Sequence, residues 1–209
     1  MREVVGNDVV AIHAAENRAS FARPGYVERV LSPRERRVLA RAPRPEACFW
    51  SQFAAKEAAY KLLVQLGELP GFGHREIEVS ESLDAVTWRD HRFELRAEVR
   101  PRWVHAVVTA GAPVVARVLE PGAGHDPSGE VRALGRALAA AVLRVPWERL
   151  EIRRAELAGA WDGHGPPELL LDGERAPLAV SLSHDGPFVA AALGIGRAGA
   201  ALAEAAGAG

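Results

Sequence analysis

The stretch ACFWSQFAAKEAAYKLLVQLG, residues 47–67, most restricts what this chain can become. Phe49, Phe53, Ala54, Ala58, Leu62 and Gln65 fall on or near one helical stripe, and Gly67 supplies a stop. The same stretch holds Lys56 and Lys61, the only lysines in the sequence; every other strongly basic side chain is arginine. Glu57 and Lys61 stand four apart with the acid first. That spacing fits a helix-surface ion pair worth about 0.3 kcal/mol. It fits equally well a site where arginine's planar fork is unsuitable and a compact ammonium meets a phosphate oxygen.

Around this helix the chain alternates other elements. VVGNDVVAI at 4–12 reads as a buried strand. In YVERVLSPRERRVLARA, Ser32, Pro33 and Glu35 form a capping-box arrangement that starts a helix, and PRPE at 43–46 breaks it. REIEVSES, AVTWRDHRFELRAEV with a turn near Asp90, WVHAVVTA and PVVARVLE read as strands. PGAGHDPSG at 121–129 is the best linker. After it come a helix, EVRALGRALAAAVL, a strand, LEIRRAEL, a loop, DGHGPPE, and strands broken by Asp-Gly turns through SLSHDGPFVAAAL. The division expected is 1–119 and 130–197 as two half-domains, 120–129 as linker and 198–209 as a flexible tail.

Composition excludes several classes. Net charge is −1, so no nucleic-acid footprint is present. Cys48 is the single cysteine, which rules out an internal disulfide and suits a reducing compartment. No signal peptide and no apolar run of membrane-spanning length is legible, so a cytoplasmic location is expected. GIGRAG at 194–199 matches a glycine-rich nucleotide fingerprint, but too little chain follows it for the helix and strand such a site needs. The arginine-dense RERRVLARAPR is a solvated helix face or a surface for an acidic partner.

Asp8 lies in a strongly apolar strand, where an unpaired carboxylate is costly. It should sit at a strand end, pair with a base, bind a metal or belong to an Asn-Asp turn. Asp8 and Glu57 together would give two hard oxygen ligands suited to Mg²⁺. Ser, His and Asp stand in a row in SLSHDG at 181–186, but neighbouring strand residues face opposite ways, so this is no catalytic triad. His184 ends a strand at a hairpin mouth, as a surface turn histidine or an anion donor.

GNDVVAI, LSPRERRVL and FAAKEAAYKLL, in that order, resemble the metal-binding part of the 4′-phosphopantetheinyl transferases, whose signature pairs a Gly-x-Asp strand with a downstream Lys-Glu-Ala helix. SLSHDGPFVAAAL resembles that family's Ser-His strand. Residues 132–173 resemble what precedes the strand in the larger, surfactin-synthetase-activator type. There the Ser-His half comes first; here it comes last, so the chain resembles a circular permutation rejoined through 120–129. The smaller, holo-acyl-carrier-protein-synthase type has the present order but is shorter and trimeric. The resemblance implies an α+β pseudo-dimer of two half-domains, each a long helix packed on a small, mostly antiparallel sheet, and a monomer. If the permutation holds, Leu193 and Val5 should be neighbours.

The family moves the 4′-phosphopantetheine arm of coenzyme A to a serine of an apo acyl or peptidyl carrier protein. By resemblance Asp8 and Glu57 hold Mg²⁺, and Glu57 or a water it orients is the base. Lys61 contacts the phosphates with help from Lys56, and Arg132, Ser183 and His184 bind coenzyme A. Two positions depart from the pattern. Val10 stands where a second acid is usual, and Pro166, in Gly165-Pro166-Pro167, where a lysine is usual; Arg153, Arg154 or Arg175 would have to compensate. These departures leave a second reading open, a non-catalytic module that binds coenzyme A or a carrier protein.

Overall fold

The structure, a computed structural model, describes residues 3–68, 73–122, 124, 126–156, 164–196 and 199. The chain begins with β1 (Val5–Ala11), α1 (Ala15–Ala22), α2 (Tyr26–Val30), α3 (Pro33–Leu39) and the long α4 (Pro45–Gln65). Then come β2 (Ile77–Val79), β3 (Ala85–Trp88), β4 (His91–Val99), β5 (Trp103–Thr109) and β6 (Val114–Leu119). After α5 (Pro127–Leu143) follow β7 (Leu150–Glu156), β8 (His164–Leu171), β9 (Glu174–Arg175), β10 (Leu178–Asp185) and β11 (Phe188–Ile195).

Two halves result, each a long helix on antiparallel strands. In the first, α4 packs on a five-stranded sheet in the order β1-β5-β4-β3-β2. Phe49, Trp50, Ala58, Leu62 and Leu63 of the helix meet Val10, Val104, Ala106 and Val108 of the sheet in one core. From Phe49 onward α4 is buried around most of its circumference rather than along one stripe, leaving only the side with Phe53, Glu57, Tyr60, Lys61 and Val64 partly open. In the second half, α5 packs on β10, β11 and β7, strands that lie in the sheets β10-β11-β6 and β7-β8-β9, β6 joining from within residues 1–119. Leu143, Leu150, Leu169 and Val180 make its core.

Local signals set several boundaries. Ser32 accepts from the Glu35 N–H while the Glu35 side chain accepts from the Ser32 N–H, the reciprocal cap expected from the sequence. The chain turns between β3 and β4 at Arg89 and Asp90. Gly67, at φ 86, follows α4 in the left-handed region that glycine favours. α5 starts at Pro127, inside the stretch read as linker, because Asp126 caps the Ser128 and Gly129 N–H groups.

Two segments differ from the reading of the sequence. α1 lies in a stretch read only as polar; none of its residues is buried, so it has no apolar stripe to reveal it. Gly165, Pro166 and Pro167, read as loop, belong to β8; Pro167 pairs opposite Arg154, and Gly165 and Pro166 lie at a register shift between β7 and β8. The prolines are tolerated because β9 reaches only Leu170 and Leu171, leaving β8 one-sided there. Most of the expected tail, 198–209, lies outside the described residues.

The halves meet along β1 and β10, which run side by side and parallel without backbone pairing. Side chains bridge them instead. The N–H groups of Asn7, Val9 and Ala11 donate to Ser181 Oγ, Ser183 Oγ and Asp185 Oδ2 at 2.9, 3.2 and 2.8 Å. Gln65 Nε2 donates to the carbonyls of both Val5 and Val180. Alternate residues of SLSHD thus replace a missing strand edge for β1, which meets the need of buried backbone groups for partners. At the far end Val5 packs with Ala192, and a Cβ on Gly194 would lie 3.5 Å from the Val5 Cβ.

His105 lies opposite Val9 on the buried face of β5, 3.2 Å from Asn7 Oδ1. Burial lowers its pKa from 6.5 to about 4, with Lys61 adding to the shift and Glu98 opposing it. The unfolded chain therefore takes up this proton first. Stability should fall as pH drops from about 6.5 to about 4, by a total of about 3 kcal/mol, and His105 should contribute no slope above that window. Urea unfolding across this range should show a shallower acid loss for His105→Gln.

Candidate active site

The GND segment of β1 and the KEA segment of α4 touch because Gly6 faces the helix. A Cβ there would sit 1.8 Å from the Ala58 carbonyl oxygen. The close approach brings Asp8 to Lys61, whose Nζ donates to Asp8 Oδ1 at 2.8 Å and to the Asn7 carbonyl at 3.0 Å. From the other half, Ser183 Oγ donates to the same Asp8 oxygen at 2.7 Å. Asp8 is thus the mid-strand, base-paired carboxylate that the cost of burial demanded. Burial still raises its pKa, and the nearby Glu57 charge adds to this, while Lys61 and Ser183 oppose it.

Glu57 lies one turn before Lys61 on α4. His74, in a short turn before β2, places Nε2 2.5 Å from Glu57 Oε1. Burial would raise the Glu57 pKa, but the His74 hydrogen bond and charge, with Lys61, outweigh it and hold the carboxyl below its usual range.

Two cavities flank this centre and share Glu57, Tyr60 and His184. The first, about 410 Å³, is lined by Asp8 and His74 and by the rings of Tyr26, Trp50 and Phe53. The second, about 340 Å³, is lined by Lys61, Arg132, Arg154 and the Gly165–Pro167 segment. Arginine and lysine therefore line one side of Glu57 and aromatic rings the other. Of the three arginines that could compensate for Pro166, only Arg154 lines the cleft. Alternation along β7 puts it on the side of the buried Leu150 and Ile152, while Arg153 turns outward to Glu151 at 2.5 Å. Arg175 lies 3.4 Å from Glu168.

Ser183, expected to bind coenzyme A, lines neither cavity and instead donates to Asp8. Asp8, Glu57, Lys61, His184 and Arg132 are brought to this cleft. Lys56 is not. It is fully buried, 2.8 Å from Glu35 Oε1, and donates to the His74 and Ile77 carbonyls. This corrects the expectation that it assists at the phosphates. Five residues along a helix turn about 140°, so Lys56 and Lys61 cannot share a face. His74 was missed as a site residue, and Arg154 was one of three candidates left unresolved. His74 stands in no motif, whereas the alternation of LEIRRAEL would have singled out Arg154.

The donor set fits a divalent cation of the Mg²⁺ kind. Asp8 and Glu57 each have one oxygen engaged, and the other has no hydrogen-bond partner among the described residues. Two carboxylates on one cavity, the first raised partly by the second, are relieved by a hard cation whose shell is completed by water and phosphate. Among the described residues no group of three or more histidine, cysteine or acidic side chains is placed to hold a metal. Val10 is buried in the core and offers no further ligand.

The family model for the 4′-phosphopantetheinyl transferase superfamily matches residues 4–112. That span is more than half of the 209 residues, and the chain belongs to this superfamily. Among solved structures, the holo-[acyl-carrier-protein] synthase of Neisseria meningitidis is 21% identical, with a TM-score of 0.43 over 51% of this chain and 95% of that one. The Thermotoga maritima holo-[acyl-carrier-protein] synthase is 17% identical, with a TM-score of 0.39 over 84% of this chain and 86% of that one. No curated protein sequence matches. No described helix is long and apolar enough to cross a membrane.

Proposed function

We propose that this chain transfers 4′-phosphopantetheine from coenzyme A to a serine of an apo acyl or peptidyl carrier protein, with Mg²⁺, releasing 3′,5′-ADP. The observation that carries this reading is the convergence of Asp8, Glu57 and Lys61 with His184, from opposite halves, on one cleft divided by charge. Lys61, Arg132, Arg154 and His184 would bind the phosphates of the nucleotide end. The uncharged pantetheine arm and the carrier serine would approach through the aromatic cavity.

The serine Oγ attacks the phosphorus that bears the pantetheine arm. A new P–O bond forms, the pyrophosphate bond breaks, and its electron pair leaves on 3′,5′-ADP. Glu57, kept ionised by His74 and Lys61, accepts the serine proton directly or through a water. Lys61 and the cleft arginines favour the charge that develops on the leaving phosphate. Mg²⁺, when held by Asp8 and Glu57, would polarise the pyrophosphate. Ser183 acts on Asp8, holding its Oδ1 with Lys61.

The order of the motifs and the contact of Ala192 and Gly194 with Val5 support a permuted arrangement working as a monomer, since one chain supplies both sides of the cleft. A rival reading draws on Val10: a module that holds coenzyme A without turnover. Calorimetric titration with coenzyme A separates them. A transferase should bind more tightly when Mg²⁺ is present. Equal affinity with and without Mg²⁺ would favour the module.

A further inference from the structure

His74 lies at the candidate centre without belonging to any motif, and it is held from two directions. Its carbonyl accepts from Lys56 Nζ at 2.8 Å. Its ring stacks on Phe53, with centroids 5.4 Å apart and planes 24° from parallel. Phe53 and Glu57 are one turn apart on α4, so a ring lying on Phe53 reaches Glu57. Lys56 is anchored in turn. Its ammonium meets Glu35 Oε1 and the carbonyls of His74 and Ile77, three acceptors for three N–H donors. Glu35 is fixed by the Ser32 and Val79 N–H groups at 2.7 and 2.8 Å. A buried chain of contacts thus runs from the cap of α3 through Lys56 to the backbone of His74 and, through its ring, to Glu57.

We propose that His74 is the positioning residue of Glu57, donating from Nε2 to Oε1 so that the other carboxylate oxygen is reserved for a divalent cation. An ionised carboxylate only accepts, so the imidazole must be the donor. Hydrogen bonds to a ligating carboxylate fix its orientation, and their loss typically costs 10–100-fold in metal affinity. Lys56 then serves the site from the core, by holding the turn that carries His74. This inference rests on the transferase reading.

The test uses the full chain with saturating coenzyme A and follows Mn²⁺ binding by electron paramagnetic resonance, beside the Mg²⁺ dependence of transfer. His74→Phe keeps a flat ring on Phe53 and removes the donor; His74→Gln returns an N–H. His74→Phe should weaken Mn²⁺ binding about 10–100-fold and raise the Mg²⁺ needed for half-maximal rate in proportion, with KM for coenzyme A unchanged at saturating Mg²⁺. His74→Gln should recover most of both. Should His74→Phe fail to fold, His74→Asn, whose amide is too short to reach Glu57, takes its place. Wild-type Mn²⁺ affinity in the donor-less variant, or a His74→Gln no better than it, would overturn the assignment. If the unaltered protein binds coenzyme A but neither Mn²⁺ nor Mg²⁺, the transferase reading fails and the assignment fails with it.

Discussion

Glu57→Gln is expected to slow carrier-protein modification by about 10²–10⁴-fold, the range for losing a positioned general base. The fold should survive, because Glu57 borders the cleft and an amide fills the same space. The substitution removes the proton acceptor and one of the two carboxylates that fit a cation, and it replaces a charged acceptor for His74 by a neutral one. Asp8 would lose a neighbouring negative charge that raises its pKa. Single-turnover transfer, followed as the mass of the carrier, reads the effect on chemistry apart from binding. Near-normal rates would remove Glu57 from both of its proposed roles.

Gly6→Ala should cost more than the roughly 1–3 kcal/mol usual for overpacking a core. Most added methyl groups meet side chains that can rotate aside. This one would meet backbone: the Ala58 carbonyl oxygen at 1.8 Å, its carbon at 2.8 Å and the Leu62 nitrogen at 3.0 Å. Relief requires β1 to move away from α4. Because β1 carries Asp8 and α4 carries Glu57 and Lys61, the same movement would part the proposed metal ligands. Urea unfolding should show the loss directly. A Gly6→Ala protein as stable as the wild type would mean that strand and helix are not so closely packed.

What was legible in the sequence was local. Ser32, Pro33 and Glu35 state a helix start within four residues, and the capping box is there. Glu57 and Lys61, one turn apart, must share a face, and resemblance to a Gly-x-Asp strand paired with a Lys-Glu-Ala helix joined Asp8 to them as the candidate centre. The same rule applied to Lys56 would have turned it away from the cleft; the scarcity of lysine drew both lysines to one role. Lys56 is retained for another physical reason, a closed space with three oxygen acceptors that a compact ammonium satisfies. The side-chain ladder between β1 and β10 was hidden because its partners are 174 residues apart. Nothing in SLSHD itself shows that Ser181, Ser183 and Asp185 would face the N–H groups of a second strand, and the resemblance assigned Ser183 to coenzyme A instead. His74 was hidden for a related reason: its position depends on Lys56 and Phe53 together, and no spacing in the chain announces it.

The most direct test is the intact mass of a panel of apo acyl and peptidyl carrier proteins incubated with this protein, coenzyme A and Mg²⁺, beside a chelator control. At least one carrier should gain the mass of a single 4′-phosphopantetheine, 3′,5′-ADP should appear with it, and the chelator should abolish both. No gain on any carrier, with coenzyme A still bound, would contradict the transferase reading and leave the cleft as a binding site without turnover.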